Sequence, residues 1–127
     1  MFDTVEERRT EWLRMLRSGT FAQTTDELHD SHGYCCLGVA CKLYQTVTGE
    51  GRWLHPDDES SFVVPGTEQD GECMPSVVQE WFGFRTNVGT TAADDSEHPD
   101  LASKNDSGWT FKEIADFVET NPEGLWK

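Results

Sequence analysis

Apolar residues recur at helical spacing in four stretches of this chain, each with its own start or stop signal. Thr4-Val5-Glu6-Glu7 has the form of a capping box, and Val5, Trp12 and Leu16 then share one stripe, with Leu13 beside it, up to Arg17. Ser18-Gly19 is a stop, because glycine suits the left-handed position just past a helix. From about Cys35 to Thr48 the residues Cys36, Val39, Ala40, Leu43 and Val47 keep the same period. Leu37, Cys41 and Tyr44 widen that face, so this helix is expected to be the most buried one, ended by Gly49 and Gly51. Pro75 suits a first helical position before Val77, Val78 and Trp81, with Met74 ahead and Gly83 past the end. Thr110 and Glu113 form a second capping box before Phe111, Ile114, Ala115 and Val118, and Asn121-Pro122 ends that helix.

Strand signals are shorter. Arg52-Trp53-Leu54 and Ser61-Phe62-Val63-Val64 predict a hairpin or two edge strands, and Phe84 to Val88 is a candidate strand. Thr20 to His32 is polar without a clear period and reads as a loop, as do Gly66 to Gly71 and an exposed stretch from Gly89 to Asp100. The expected fold is α+β: one small domain over residues 1–127, mainly helical, with about four helices and a short β-hairpin.

Composition supports a folded core. Only 35% of residues are hydrophobic, but five Trp, seven Phe and two Tyr supply bulk, at about 150–250 Å² each. No apolar run nears the roughly 20 residues of a membrane span, and the first residues read as a charged helix rather than a signal peptide. A cytoplasmic protein with no membrane partner is therefore expected. Its four cysteines are then expected to be free thiols.

Charge is unevenly distributed within the net −14. Residues 1–20 hold four acids and four arginines, whereas residues 53–103 hold eleven acids against the single base Arg85. Three clusters dominate: Asp57-Asp58-Glu59, Glu68-x-Asp70-x-Glu72 and Asp94-Asp95-x-Glu97. Such a field opposes direct nucleic-acid binding, which needs Lys and Arg on phosphates, and suits a partner with a basic surface. Displayed together, the nine carboxylates would imitate a phosphate track. Solvated acidic loops that serve solubility are the plainer reading.

Three segments together resemble a known family. They are Glu11 to Gly19 with Gln23 soon after, Tyr34-Cys-Cys-Leu-Gly-Val-Ala-Cys41, and Leu101 to Glu119 with Asn105-Asp106-Ser-Gly108 leading into Ile114-Ala115-Asp116. The pattern is similar to small uncharacterised proteins of phages, prophages and bacteria, in which a Cys-Cys-Leu-Gly-Val core precedes a Pro-initiated helix and an Asn-Asp-x-Gly turn. The resemblance implies a phage-type accessory protein acting on host machinery, and implies no particular chemistry.

Four constellations compete for the remaining function. Cys35 or Cys36 at a helix start, with His98 and then Asn105 or Asp106, has the order of a thiol hydrolase; a catalytic set of Cys36, His98 and Asp106 is the enzymatic alternative. Against it, cysteine is commonly a small buried hydrophobe. Zinc ligation by His29, His32, Cys35, Cys36 or Cys41 lacks a second properly spaced pair, since Cys73 stands alone, so no metal and no cofactor are expected. Gln23, Cys35, Asn105 and Asp106 are candidate lining for a small-molecule pocket, although Asn and Asp also serve as turn formers. The preferred expectation is a non-enzymatic acidic binder of a host macromolecule. Oligomeric state is left open by the sequence.

Overall fold

The computed structural model describes residues 3–24, 28–30, 33–54, 61–64, 74–91 and 100–126. Helix α1 runs over Val5–Arg17. Its capping box forms as the sequence indicates: the Thr4 hydroxyl accepts from the Glu7 amide at 3.2 Å, and the Glu7 carboxylate accepts from the Thr4 amide at 3.3 Å. It buries Trp12, Leu16 and also Met15, a core position outside the expected stripe.

Helix α2, Cys36–Thr48, carries the densest burial, from Cys36 through Cys41 and again at Leu43 and Tyr44. Val47, on the same period, is 36% exposed because it lies in the last turn, beyond the neighbours that cover the rest of the face. Helices α1, α3 (Ser76–Phe82) and α4 (Leu101–Asp106) all pack on α2, and Trp12 reaches it with an indole N–H donated to the Cys36 carbonyl at 2.9 Å.

Gly38 explains how the chain before α2 lies so close to it. A Cβ at this position would collide with the Leu28 carbonyl, which itself accepts from the Cys35 amide at 3.0 Å. That segment is not the plain loop expected from its polarity. Strand β1 (His29–Asp30) pairs antiparallel with β2 (Gly33–Tyr34), and Gln23 bridges Tyr34 in parallel. Two-residue strands are too short to show an alternation.

Strands β3 (Arg52–Leu54) and β4 (Ser61–Val63) form the expected antiparallel hairpin, with Trp53 opposite Phe62 and their rings 4.8 Å apart. In α3, Pro75 is the N-cap rather than the first helical residue, and Gly83 closes the helix at φ 78°. Two arginines of α1 satisfy its final carbonyls. Arg8 donates to the Trp81 carbonyl at 3.0 Å and Arg9 to that of Phe82 at 2.8 Å, and their guanidinium groups lie over the rings of Trp81 and Trp126.

Beyond Gly83 the expected strand reduces to one bridge, Phe84 to Trp126, whose rings stack at 4.6 Å. The left-handed Gly83 turns the chain, and Phe84 is recruited by the C-terminal segment through the amide of Arg85 on the Leu125 carbonyl. The start of the next expected loop is also packed, with Gly89 and Thr91 buried and Thr90 bridging Asp100. Helix α4 is an additional element that polar Lys104, Asn105 and Asp106 conceal in the sequence. Helix α5, Phe111–Glu119, has its capping box and buries Phe111, Ile114, Ala115 and Val118 as the period requires.

The result is a mainly helical α+β fold whose described residues hold five helices rather than about four, one of them a short six-residue helix. Among the described residues no helix is long and apolar enough to cross a membrane. Gly38→Ala tests the packing directly. Helix propensity alone predicts a gain of about 0.5–1 kcal/mol, whereas the collision with Leu28 predicts a loss of about 3 kcal/mol. Urea unfolding of the variant is expected to show the loss.

Candidate functional site

The residues singled out at the Cys-Cys helix start and the Asn-Asp turn meet in a buried polar knot. Asp100 caps α4 by accepting from the Ser103 amide at 2.7 Å, and one turn of helix then aims Leu101, Lys104 and Asn105 inward. Asn105 is fully buried. Its Oδ1 accepts from the Cys36 amide at 3.2 Å and from Gln23 Nε2 at 2.8 Å, while Nδ2 donates to the Thr24 carbonyl at 2.7 Å. Gln23 donates also to the Trp109 carbonyl at 2.6 Å and accepts from the Phe111 amide at 3.1 Å. Two side-chain amides thereby satisfy the first N–H of α2 and the first N–H of α5, groups no helix can satisfy internally. Asp106, the next residue, is exposed, yet its charge is near enough to add to the upward push on the Cys35 and Cys36 thiols.

Cys35 belongs to the same knot. Its sulfur is the N-cap acceptor of α2, receiving the Gly38 amide at 3.3 Å, and the Cys36 thiol points at the Leu101 carbonyl at 3.7 Å. The helix start would by itself favour thiolate. Burial reverses this: desolvation pushes the Cys35 thiol up to about 12 against the help of backbone amides, and pushes Cys36 and Cys41 well above their ordinary value. All three are free thiols in the core.

The sequence profile of a domain of unknown function (DUF8296) matches residues 4–122. The chain belongs to this family. No curated protein and no solved structure matches it.

In the DUF8296 chain, then, Gln23 and Asn105 bond each other, and Asn105 accepts from the Cys36 amide next to Cys35, whose own sulfur accepts from Gly38. The hydrolase alternative is brought together only in part: Cys36 is buried and Asp106 exposed, and His98 lies outside the described residues. So do the zinc candidate His32, the side chain of His29, and Cys73. Among the described residues no group of three or more His, Cys, Asp or Glu could hold a metal ion. The nine acidic candidates Asp57, Asp58, Glu59, Glu68, Asp70, Glu72, Asp94, Asp95 and Glu97 also fall outside them.

One feature was not legible beforehand. Lys104 is 1% exposed, with its ammonium 4.9 Å from the ring centre of Trp109 and 5.0 Å from that of Phe117. Its position three residues after Leu101 is the only signal, and it is visible only once α4 is known.

Asn105→Leu removes the acceptor for two donors and the donor to Thr24 at once, so a loss of about 3 kcal/mol in urea unfolding is expected. A double variant with Gln23→Leu should lose less than the sum of the two, since the pair shares partners. The thiols set an alkaline limit. Cys35 is raised from 9.0 to about 12, so its contribution is complete below about pH 9 and is lost as pH rises towards 12. The urea midpoint is expected to fall across that window, and to fall less in Cys35→Ala; equal falls would remove Cys35 as the cause.

Proposed function

We propose that this DUF8296 protein is a non-enzymatic accessory protein of phage type that binds a host protein, using the acidic middle of the chain against a basic surface. The observation that carries the reading is how the acid-bearing stretches are anchored. Leu54 pairs with Ser61 on either side of the first cluster, buried Val64 and Met74 bracket the second, and Thr90 pairs with Asp100 around the third. Each cluster is thus flanked in sequence on both sides by residues built into the fold, and a segment tethered at both ends has less freedom to lose on binding than a free tail.

Charge supports the same reading. The excess of acid in residues 53–103 repels phosphate and attracts Lys and Arg, which disfavours nucleic acid and favours a protein that itself binds nucleic acid. The buried Cys35, Cys36 and Cys41 thiols, raised by desolvation, support a structural rather than a nucleophilic use of the Cys-Cys helix start.

Immobilised protein incubated with a bacterial lysate is expected to retain a discrete basic protein at low salt. It should release it as salt approaches about 1 M, where screening shortens to about 3 Å. A variant with the nine carboxylates changed to amides is expected to retain nothing while keeping the native circular dichroism. Retention that is insensitive to salt, or equal on the amide variant, would contradict the reading.

A further inference from the structure

Among the described residues, two clefts border α1, and they differ in whether their cations are already engaged. The larger, about 600 Å³ against α5, is bordered by Arg9 and Arg17. Arg17 is held by Asp116 at 2.8 Å and Glu119 at 3.1 Å, and Arg9 by the Phe82 carbonyl and the Trp126 ring. Both guanidinium groups are therefore already engaged.

The smaller cleft, about 260 Å³, lies between α1 and α2. Its walls include buried Met15 and Leu43 and half-buried Phe21. Half-buried Lys42 borders it, and its ammonium makes no ion pair or hydrogen bond with the described residues. The other two charges at the rim, Arg14 and Glu11, are paired with each other. The Thr20 hydroxyl, also on the rim, is a further donor without a described partner. Among the described residues the lining of this cleft thus carries one ammonium without a counter-ion beside apolar walls, in a chain of 24 acids and 10 bases.

The geometry points to a binding site for a small monocarboxylate with a compact apolar body, the carboxylate on Lys42 and the body against Met15, Phe21 and Leu43. The volume lies just under the roughly 300–1,000 Å³ of drug-sized sites, which limits the ligand to the size of an amino acid or short acyl chain. The proposal uses none of the nine acidic residues and is independent of the role proposed for them.

Titration of the full chain with phenylacetate, followed by amide NMR, tests it. Expected are saturable shifts centred on Thr20, Phe21 and Leu43, weakened about tenfold by Lys42→Gln, a charge-assisted hydrogen bond being worth about 1.5 kcal/mol or more. Lys112→Gln, which alters a surface pair on α5, should leave the affinity unchanged. Phenylethanol, with the same ring and no carboxylate, should bind no better than Lys42→Gln binds phenylacetate. Absence of saturable shifts, shifts centred elsewhere, or equal binding by Lys42→Gln or of phenylethanol would each overturn the assignment.

Discussion

The buried amide of Asn105 is the constraint on which the rest of the structure depends. A helix leaves its first amides without internal partners, and here the start of α2 is buried and the Phe111 amide of α5 partly so, which limits what water can satisfy. Asn105 answers for Cys36 directly and, through Gln23, for Phe111. The same contacts hold the Gln23-Thr24 segment beside Tyr34, which in turn presses Leu28 onto Gly38. One side chain thus ties the 20s segment, two helix starts and the end of α4 into a single arrangement. An asparagine is suited to this because it offers an acceptor and a donor in one plane, where a carboxylate would offer acceptors only.

The Cys-Cys start of α2 shows desolvation overruling the helix dipole. Raising a thiol from 9.0 to about 12 corresponds to roughly 4 kcal/mol against the charged form, whereas a helix end contributes about 0.3–1 kcal/mol in its favour. The outcome was decided by burial: Cys35 and Cys36 are 4% and 0% exposed, in the same core cluster as Trp12, Leu28 and Leu101. Chemistry that a sequence pattern suggests for a cysteine at a helix start therefore depends on tertiary burial that the pattern does not contain.

Legibility followed the range of the interactions. Both capping boxes, the periods of α1, α2 and α5, and the β3–β4 hairpin were readable because their determinants lie within a few residues of one another. Elements held by distant partners were not: β1 and β2 exist because Gln23 and Leu28 dock on them and on α2, and Phe84 is straightened by Trp126 rather than by its own neighbours. At the knot, Gln23, Cys35 and Asn105 were recognisable as unusual polar or thiol positions, but the bond that joins Gln23 to Asn105 spans 82 residues. Lys104 was invisible for the same reason, since its ammonium is accommodated by Trp109 and Phe117 only once α4 turns onto α5.

By itself the sequence determined where the long helices start and stop, that the chain is acidic in its middle, and that the Cys-Cys-Leu-Gly-Val run opens a helix with a wide apolar face, because caps, periodicity and charge are local properties. Only the tertiary structure decided that Gly38 receives the Leu28 carbonyl, that the thiols are held neutral, and that Gln23 and Asn105 complete two helix starts. Those outcomes depend on groups far apart in the chain meeting in a space without water, where each unsatisfied donor is costly and each charge more so.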